Sequence, residues 1–441
     1  MRINRRSFLK RSAAGLAGAG TRVARSSASA RVAGANDRVR IGVIGTGRQG
    51  RSDLHGHAGL PEVDIVALSD VYAPNLAQAV TMAPAARQYA DFRALLDDKS
   101  IDAVIIGTPD HWHALMTVMA CQAGKDVYVE KPSSVAIAEG RKMVEAARKY
   151  GRVVQVGTQQ RSATHFQEAV RLVREGRIGT VTSVRTWNVG NQSPDGIGNP
   201  PDSDPPAGLD WDLWLGPAAK RPFNANRFGV VPDNYSYFRW FWDYAGGMMT
   251  DWGVHLIDIV QWAMQVDAPL AASAAGGKFL LTDNRETPDT LLATFQYPTF
   301  VLTYENRTCN GRAVNGHGYG IEFYGSDGTL FVDRAGFELS PETRKVGTDV
   351  VNRAEPVTRA SVPDNPTHAR DFVDAMKSRR KPICDIEIGH RSTSTAILGN
   401  MAFRSGSTVV WDAKTESVAN DNAKAAELVD RPYRAPWVLT V

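Results

Sequence analysis

Three glycines carry the first chemical signal in this 441-residue chain: Gly45, Gly47 and Gly50, within Ile41-Gly42-Val43-Ile44-Gly45-Thr46-Gly47-Arg48-Gln49-Gly50. The G-x-G-x-x-G spacing follows an apolar run and precedes a helical pattern. In that setting the backbone can approach a pyrophosphate and aim helix N-terminal amides at it. Thr46, Arg48 and Gln49 fill the positions between the glycines. Twenty residues past Gly50 the next apolar run ends at Asp70, the distance at which an acid bonds the ribose hydroxyls. A carboxylate there repels a 2′-phosphate, so the pattern favours NAD, while Arg48 in the loop leaves NADP possible.

Two later runs end in Gly107-Thr108-Pro109-Asp110-His111-Trp112-His113 and Tyr128-Val129-Glu130-Lys131-Pro132. Ligands of parallel sheets bind outside the carboxyl ends of the strands. Thr108, Pro109, His113, Glu130 and Lys131 are therefore candidates to line the nucleotide site, with proline fixing the turn that thrusts Lys131 into the cleft. Farther along, Asp251 and His255 stand four residues apart, a spacing that puts both on one face of a helix. A neutral imidazole there can take the proton of a hydroxyl.

The elements that must position these groups change character along the chain. Short apolar runs at 39–44, 65–69, 103–107, 126–129 and 153–157 alternate with helical patterns at 49–59, 73–82, 92–97, 113–123 and 137–150. This alternation predicts a parallel sheet covered on both faces, an α/β Rossmann domain over residues 36–157. One amphipathic helix is expected at 164–175. Longer alternating strands follow at 181–189, 291–306, 321–324 and 329–333, the last two joined by the turn Gly325-Ser326-Asp327-Gly328. They predict an α+β domain over 158–410, built on an open, mainly antiparallel sheet. Residues 190–208, dense in Gly, Pro and Asp, read as a long loop able to cover a site. Helices at 368–378 and 390–404 precede a terminal extension, 411–441.

The first 35 residues read as a twin-arginine signal peptide: Asn4-Arg5-Arg6-Ser7-Phe8-Leu9-Lys10, a weakly apolar stretch, then small residues. They hold eight basic residues and no acidic one, so beyond them 43 basic residues face 47 acidic ones. The positive balance belongs to the leader, and the remainder has no electrostatic case for nucleic acid. No later run suggests a membrane span. Export through the twin-arginine machinery to the periplasm is the expectation. A nucleotide carried there is cut off from the enzymes that would recycle it, so the cofactor is expected to be tightly held. Three widely spaced cysteines, Cys121, Cys309 and Cys384, indicate buried thiols rather than a disulfide framework.

The glycine loop, Thr108-Pro109-x-x-x-His113, Glu130-Lys131-Pro132 and the segment from Gly246 to Asp258 that contains Asp251 and His255 together resemble the Gfo/Idh/MocA family, the glucose–fructose oxidoreductase and inositol dehydrogenase group. Asp110 stands where many members have asparagine. The resemblance implies that Lys131, Asp251 and His255 form the catalytic group of an enzyme oxidising a CH–OH group of a carbohydrate. Lys131 would stabilise a developing alkoxide, and Asp251 would orient the imidazole or hold a neighbouring hydroxyl. It also implies a homo-oligomer joined through the outer face of the second sheet.

Six of the ten tryptophans fall between Trp211 and Trp262. Within that region Arg239, Trp240 and Asp243 are candidates for binding sugar, since aromatic faces stack on sugar C–H groups. His55-Gly56-His57 and His111-Trp112-His113 lack an accompanying acidic or thiol cluster, so no metal is expected. The leading expectation is an exported NAD(P)-dependent oxidoreductase acting on a sugar, polyol or glycoside. One alternative is a redox-neutral NAD-dependent glycoside hydrolase that works by oxidation, elimination, hydration and reduction. Another is a non-catalytic sugar- or nucleotide-binding protein.

Overall fold

A computed structural model describes residues 38–229, 236–362 and 367–441; the twin-arginine segment lies outside them. Six parallel strands form the first sheet: β1 (Val39–Ile44), β2 (Val63–Ser69), β3 (Arg87–Tyr89), β4 (Ala103–Ile106), β5 (Asp126–Val129) and β6 (Val154–Val156), in the order β3-β2-β1-β4-β5-β6. β4 and β5 are buried at every residue, as strands covered on both faces require. The reversal of strand order at β1 leaves a crevice where the β1 and β4 ends diverge, the place where such sheets take their ligand. β3 is a three-residue edge strand with no apolar alternation, which is why sequence pattern did not reveal it.

The second sheet is mainly antiparallel. It contains β7 (Val181–Val189), β8 (Ala271–Gly277), β9 (Thr290–Gln296), β10 (Val301–Arg307), β11 (Tyr319–Gly325), β12 (Gly328–Asp333) and β13 (Gly336–Pro341). A two-stranded hairpin, β14 (Thr343–Val346) with β15 (Asp349–Asn352), stands apart from it, and β16 (Val357–Ala360), β17 (Val409–Asp412) and β18 (Ser417–Val418) complete the sheet. Among its described strands, only β7 and β10 pair in parallel. One face packs on the helices Thr164–Arg174, Gly253–Met264 and Ile386–Ser405, forming a core around Phe166, Ile257, Phe295, Tyr304 and Leu398. The opposite face exposes Leu292 and Val301.

Several sequence expectations need correction. Residues 291–306 are two antiparallel strands, β9 and β10, folded at Pro298, because proline cannot donate to a ladder. The fourth helix begins at Asp110, three residues before the expected start, so His111 and His113 are helical. The helix expected at 390–404 spans Ile386–Ser405, capped by the Asp385 side chain. Residues 190–208 are a loop as expected, bridged to the chain at Asp202 with Asn224 and, just past it, at Leu209 with Tyr72. The C-terminal segment returns to the first domain: Leu439 is buried in its core with Tyr433 and Trp437 packed against it, and the Arg431 guanidinium bonds Glu139 at 2.7 Å and the His111 carbonyl at 2.9 Å.

Candidate active site

The glycine loop is built for close approach. Gly45 has φ +81, a left-handed conformation that favours glycine, and a Cβ on Gly50 would lie 1.8 Å from the Gly45 carbonyl oxygen. The helix Arg48–Ala58 starts with no capping side chain and no acid in its first turn, leaving its N-terminal amides available to a phosphate. At the end of β2 the Asp70 carboxylate accepts from the Thr46 amide (2.7 Å), the Thr46 hydroxyl (3.0 Å) and the Tyr72 amide (2.8 Å). Burial raises its pKa against those bonds. A glycine cradle, a bare helix N-terminus and a pinned acid fit a dinucleotide whose ribose meets Asp70.

A cavity of about 280 Å³ runs from this loop to the second domain. Gly45, Gly47, Arg48, Gln49, Asp70, Thr108, Pro109, His113, Glu130, Lys131, Arg239, Asp251 and His255 all line it. Thr46 and Gly50 are buried just beneath, where they shape the loop. His113 ties the two strand ends together, with Nδ1 2.7 Å from the Pro132 carbonyl oxygen and Nε2 2.8 Å from that of Thr108. Gln49 donates to Asp53 (2.9 Å) and to Glu130 (3.4 Å). Burial pushes Glu130 up to about 7.

Asp251 is the hub of the reacting end. Its Oδ1 accepts from Lys131 Nζ at 2.8 Å and its Oδ2 from Arg239 at 2.5 Å, while the Lys131 ammonium also reaches the Asp251 carbonyl at 3.1 Å. Burial works against ionisation, but the two cations, Arg239 foremost, overcome it and hold the carboxyl well below the usual range. Asp251 closes the short helix Gly247–Asp251, and His255 sits in the next helix, Gly253–Met264, with a break at Trp252. The pair is therefore not on one continuous helix, and Asp251 spends its oxygens on Lys131 and Arg239 rather than on the imidazole. His255 is 5% exposed, and its buried Nδ1 has no hydrogen-bond partner among the described residues. Burial, then the nearby charges of Lys131 and Arg334, drive its pKa well below the ordinary value, so the ring is a neutral base.

Two expected substrate residues lie elsewhere. Trp240 is buried in an aromatic core, with the Arg285 guanidinium 4.4 Å from its ring centroid. Asp243 pairs with Arg221 at 2.8 Å, outside the cavity. Their places are taken by Gln159, Trp214, Phe238, Trp252 and Arg334. Trp252 lay inside the Asp251-to-His255 motif and was legible there. Arg334, in the β12–β13 turn, had no local signal. His57 packs edge-on to Tyr128. Among the described residues no group of three or more His, Cys, Asp or Glu could hold a metal ion.

Comparison with known proteins agrees with this architecture. The family model described as an oxidoreductase family with an NAD-binding Rossmann fold matches residues 39–158, and its companion for the C-terminal alpha/beta domain matches 180–275 and 344–439. A myo-inositol 2-dehydrogenase of Thermotoga maritima is 24% identical over 298 residues, 67% of this chain and 75% of that enzyme. Levoglucosan dehydrogenase, solved with NADH, aligns at 18% identity and TM-score 0.63, covering 84% of this chain and 98% of its own. The aldose-aldose oxidoreductase of Caulobacter crescentus, solved with glycerol, aligns at 20% identity and TM-score 0.61, covering 85% and 99%. These two structures share the fold. The chain belongs to the Gfo/Idh/MocA oxidoreductase family, pairing that family's NAD-binding Rossmann domain with its C-terminal alpha/beta domain.

Proposed function

We propose that this protein is an exported oxidoreductase that oxidises a CH–OH group of a sugar, polyol or glycoside with a tightly held NAD. The observation that carries the reading is the meeting of Lys131 and a neutral His255 at the reacting end of the nucleotide cavity. When bound, NAD supplies the acceptor for the hydride released from the substrate carbon. His255 takes the hydroxyl proton. Lys131 spends two of its three N–H donors on Asp251; the third holds the same oxygen as negative charge develops there. Asp251 holds the ammonium in place through its two bonds, and Arg239 locks Asp251 from the other side.

Kinship with dehydrogenases named for inositol and levoglucosan supports a polyhydroxylated substrate. The Arg5-Arg6 leader supports export. The exposed apolar side chains Leu292 and Val301 on the open sheet support a homo-oligomer, which light scattering tests. To test the function, the purified protein is mixed with sugars, polyols and chromogenic glycosides without added NAD. Reduced nicotinamide bound to protein, formed on mixing, is the expected result. Aglycone release with no net accumulation of reduced nicotinamide would favour the hydrolytic route, and neither signal from NAD-loaded protein would overturn the enzymatic reading. Replacing Arg5 and Arg6 by lysine should retain the protein inside the cell; unchanged export refutes that part.

A further inference from the structure

Among the described residues, the reacting end of the cavity is lined by more cationic side chains than ionised acids. Three cations face it: Lys131, Arg239 and Arg334. Against them, among the described residues, stands one fully ionised carboxylate, Asp251, already shared by Lys131 and Arg239. Asp110 also lines the cavity, but burial, the foremost cause, pushes its carboxyl up to about 8 and so favours its neutral form. Glu130 is bonded by Gln49 and by the Lys131 amide, on the side of the buried Asp53.

Arg334 is the cation left over. It stands exposed in the turn between β12 and β13 and has no carboxylate partner among the described residues. Its polar side-chain contact is a long one, 3.5 Å to Gln160 Oε1. Its guanidinium lies over two rings, 4.7 Å from the Trp252 centroid and 6.0 Å from that of Tyr319. Stacking of this kind holds a guanidinium flat and leaves its edge N–H groups free for a planar anion. The position is next to the chemistry, because Trp252 neighbours His255 (ring centroids 6.3 Å apart) and the Arg334 charge acts directly on that imidazole. None of these contacts involves the glycine loop, where Arg48 stands near the pyrophosphate end.

We propose that the substrate is a sugar or polyol bearing an anionic group, a carboxylate or a phosphate, which docks on Arg334 beside Trp252 while the reacting hydroxyl lies at Lys131 and His255. This rests on the oxidoreductase reading above and narrows it. An uncharged sugar would leave the Arg334 edge to water. An anion satisfies it with charge-assisted bonds, roughly twice as strong as neutral ones, and the cationic field raises its local concentration.

The test uses the NAD-loaded full-length protein with three probes: D-gluconate, D-glucose 6-phosphate and D-glucose. Binding is followed by calorimetry and by tryptophan fluorescence, and nicotinamide reduction is recorded separately. At least one anionic probe is expected to bind about tenfold more tightly than glucose, and the better of the two identifies the anion. In Arg334→Gln the ratio of anionic to neutral affinity should fall toward one; in Arg334→Lys, which keeps charge but loses the planar fork, it should fall only partly. Glucose binding as tightly as both anions overturns the proposal, as does a preference that survives Arg334→Gln. Preferential anion binding with no nicotinamide reduction by any probe leaves the charge preference standing and counts against the oxidoreductase reading. Oxidation of glucose with no anion preference does the reverse.

Discussion

Replacing His255 by alanine is the sharpest test of the catalytic arrangement, because the structure separates its effect on rate from its effect on folding. The imidazole is buried, and its Nδ1 has no partner among the described residues, so the substitution breaks no hydrogen bond there. The ring borders the cavity, and its loss widens an existing space. The stability cost should stay within the ordinary range of about 0.5–3 kcal/mol. A positioned general base contributes about 10²–10⁴ in rate, and at 1.36 kcal/mol per decade the barrier should rise by roughly 3–5 kcal/mol. Turnover therefore collapses while the protein stays folded and keeps its nucleotide. The pH profile gives a second reading. Burial, with Lys131 and Arg334 adding to it, places the folded pKa well below the unfolded 6.5. The base is then already neutral at pH 6.5, and the acid limb of kcat/KM should lie well below that value. The sign for stability matches: a depressed histidine pKa contributes stability that is complete above 6.5 and lost as pH falls toward the folded value, a slope that His255→Ala removes. The assay is nicotinamide absorbance across a pH series, with thermal melting as control. Most of the native kcat surviving in a folded variant, or an acid limb centred on 6.5 in the native protein, would refute the assignment.

Asp251→Asn leaves Lys131 and Arg239 facing each other without their shared anion; breaking a buried pair this way costs about 3–5 kcal/mol, and an unchanged denaturation midpoint would contradict the hub role. Asp70→Ala removes the acceptor of three hydrogen bonds together with the ribose contact, so NAD affinity should drop by about 1.5–3 kcal/mol and NADP affinity by less; equal losses in fluorescence titration would exclude the ribose role. Asp110→Asn should stabilise the fold at neutral pH. With its folded pKa raised to about 8, mainly by burial, the native carboxyl contributes stability that is complete at acid pH and lost as pH rises from about 4 through about 8. The variant's melting advantage should therefore grow across that window, by on the order of a few kcal/mol, and a pH-independent difference would count against it.

Much of the site was legible because its signals are local. Strand alternation and helix periodicity repeat over a few residues, so β1, β5 and the helices Ala73–Met82 and Phe92–Asp97 have the bounds that pattern alone suggests. Gly45, Gly47, Gly50 and Asp70 lie within one strand–helix–strand unit, where spacing sets geometry directly. Errors arose where a local cue was overridden. Pro298 broke what reads as one long strand, and the Trp252 break divided what reads as one helix.

The sequence by itself determined the parallel first sheet, the glycine cradle, the acid at the end of β2 and the presence of a lysine, an aspartate and a histidine suited to oxidising a hydroxyl. Only the tertiary structure decided which charges meet. Lys131 and Asp251 touch across 120 residues of chain, Arg239 rather than Trp240 or Asp243 joins them, and Arg334 arrives from a turn on the far sheet. The reason is physical: a local pattern records how each residue sits on its own element, whereas the pairing of charges across a cavity depends on how two separately folded sheets pack, and no spacing along the chain encodes that distance.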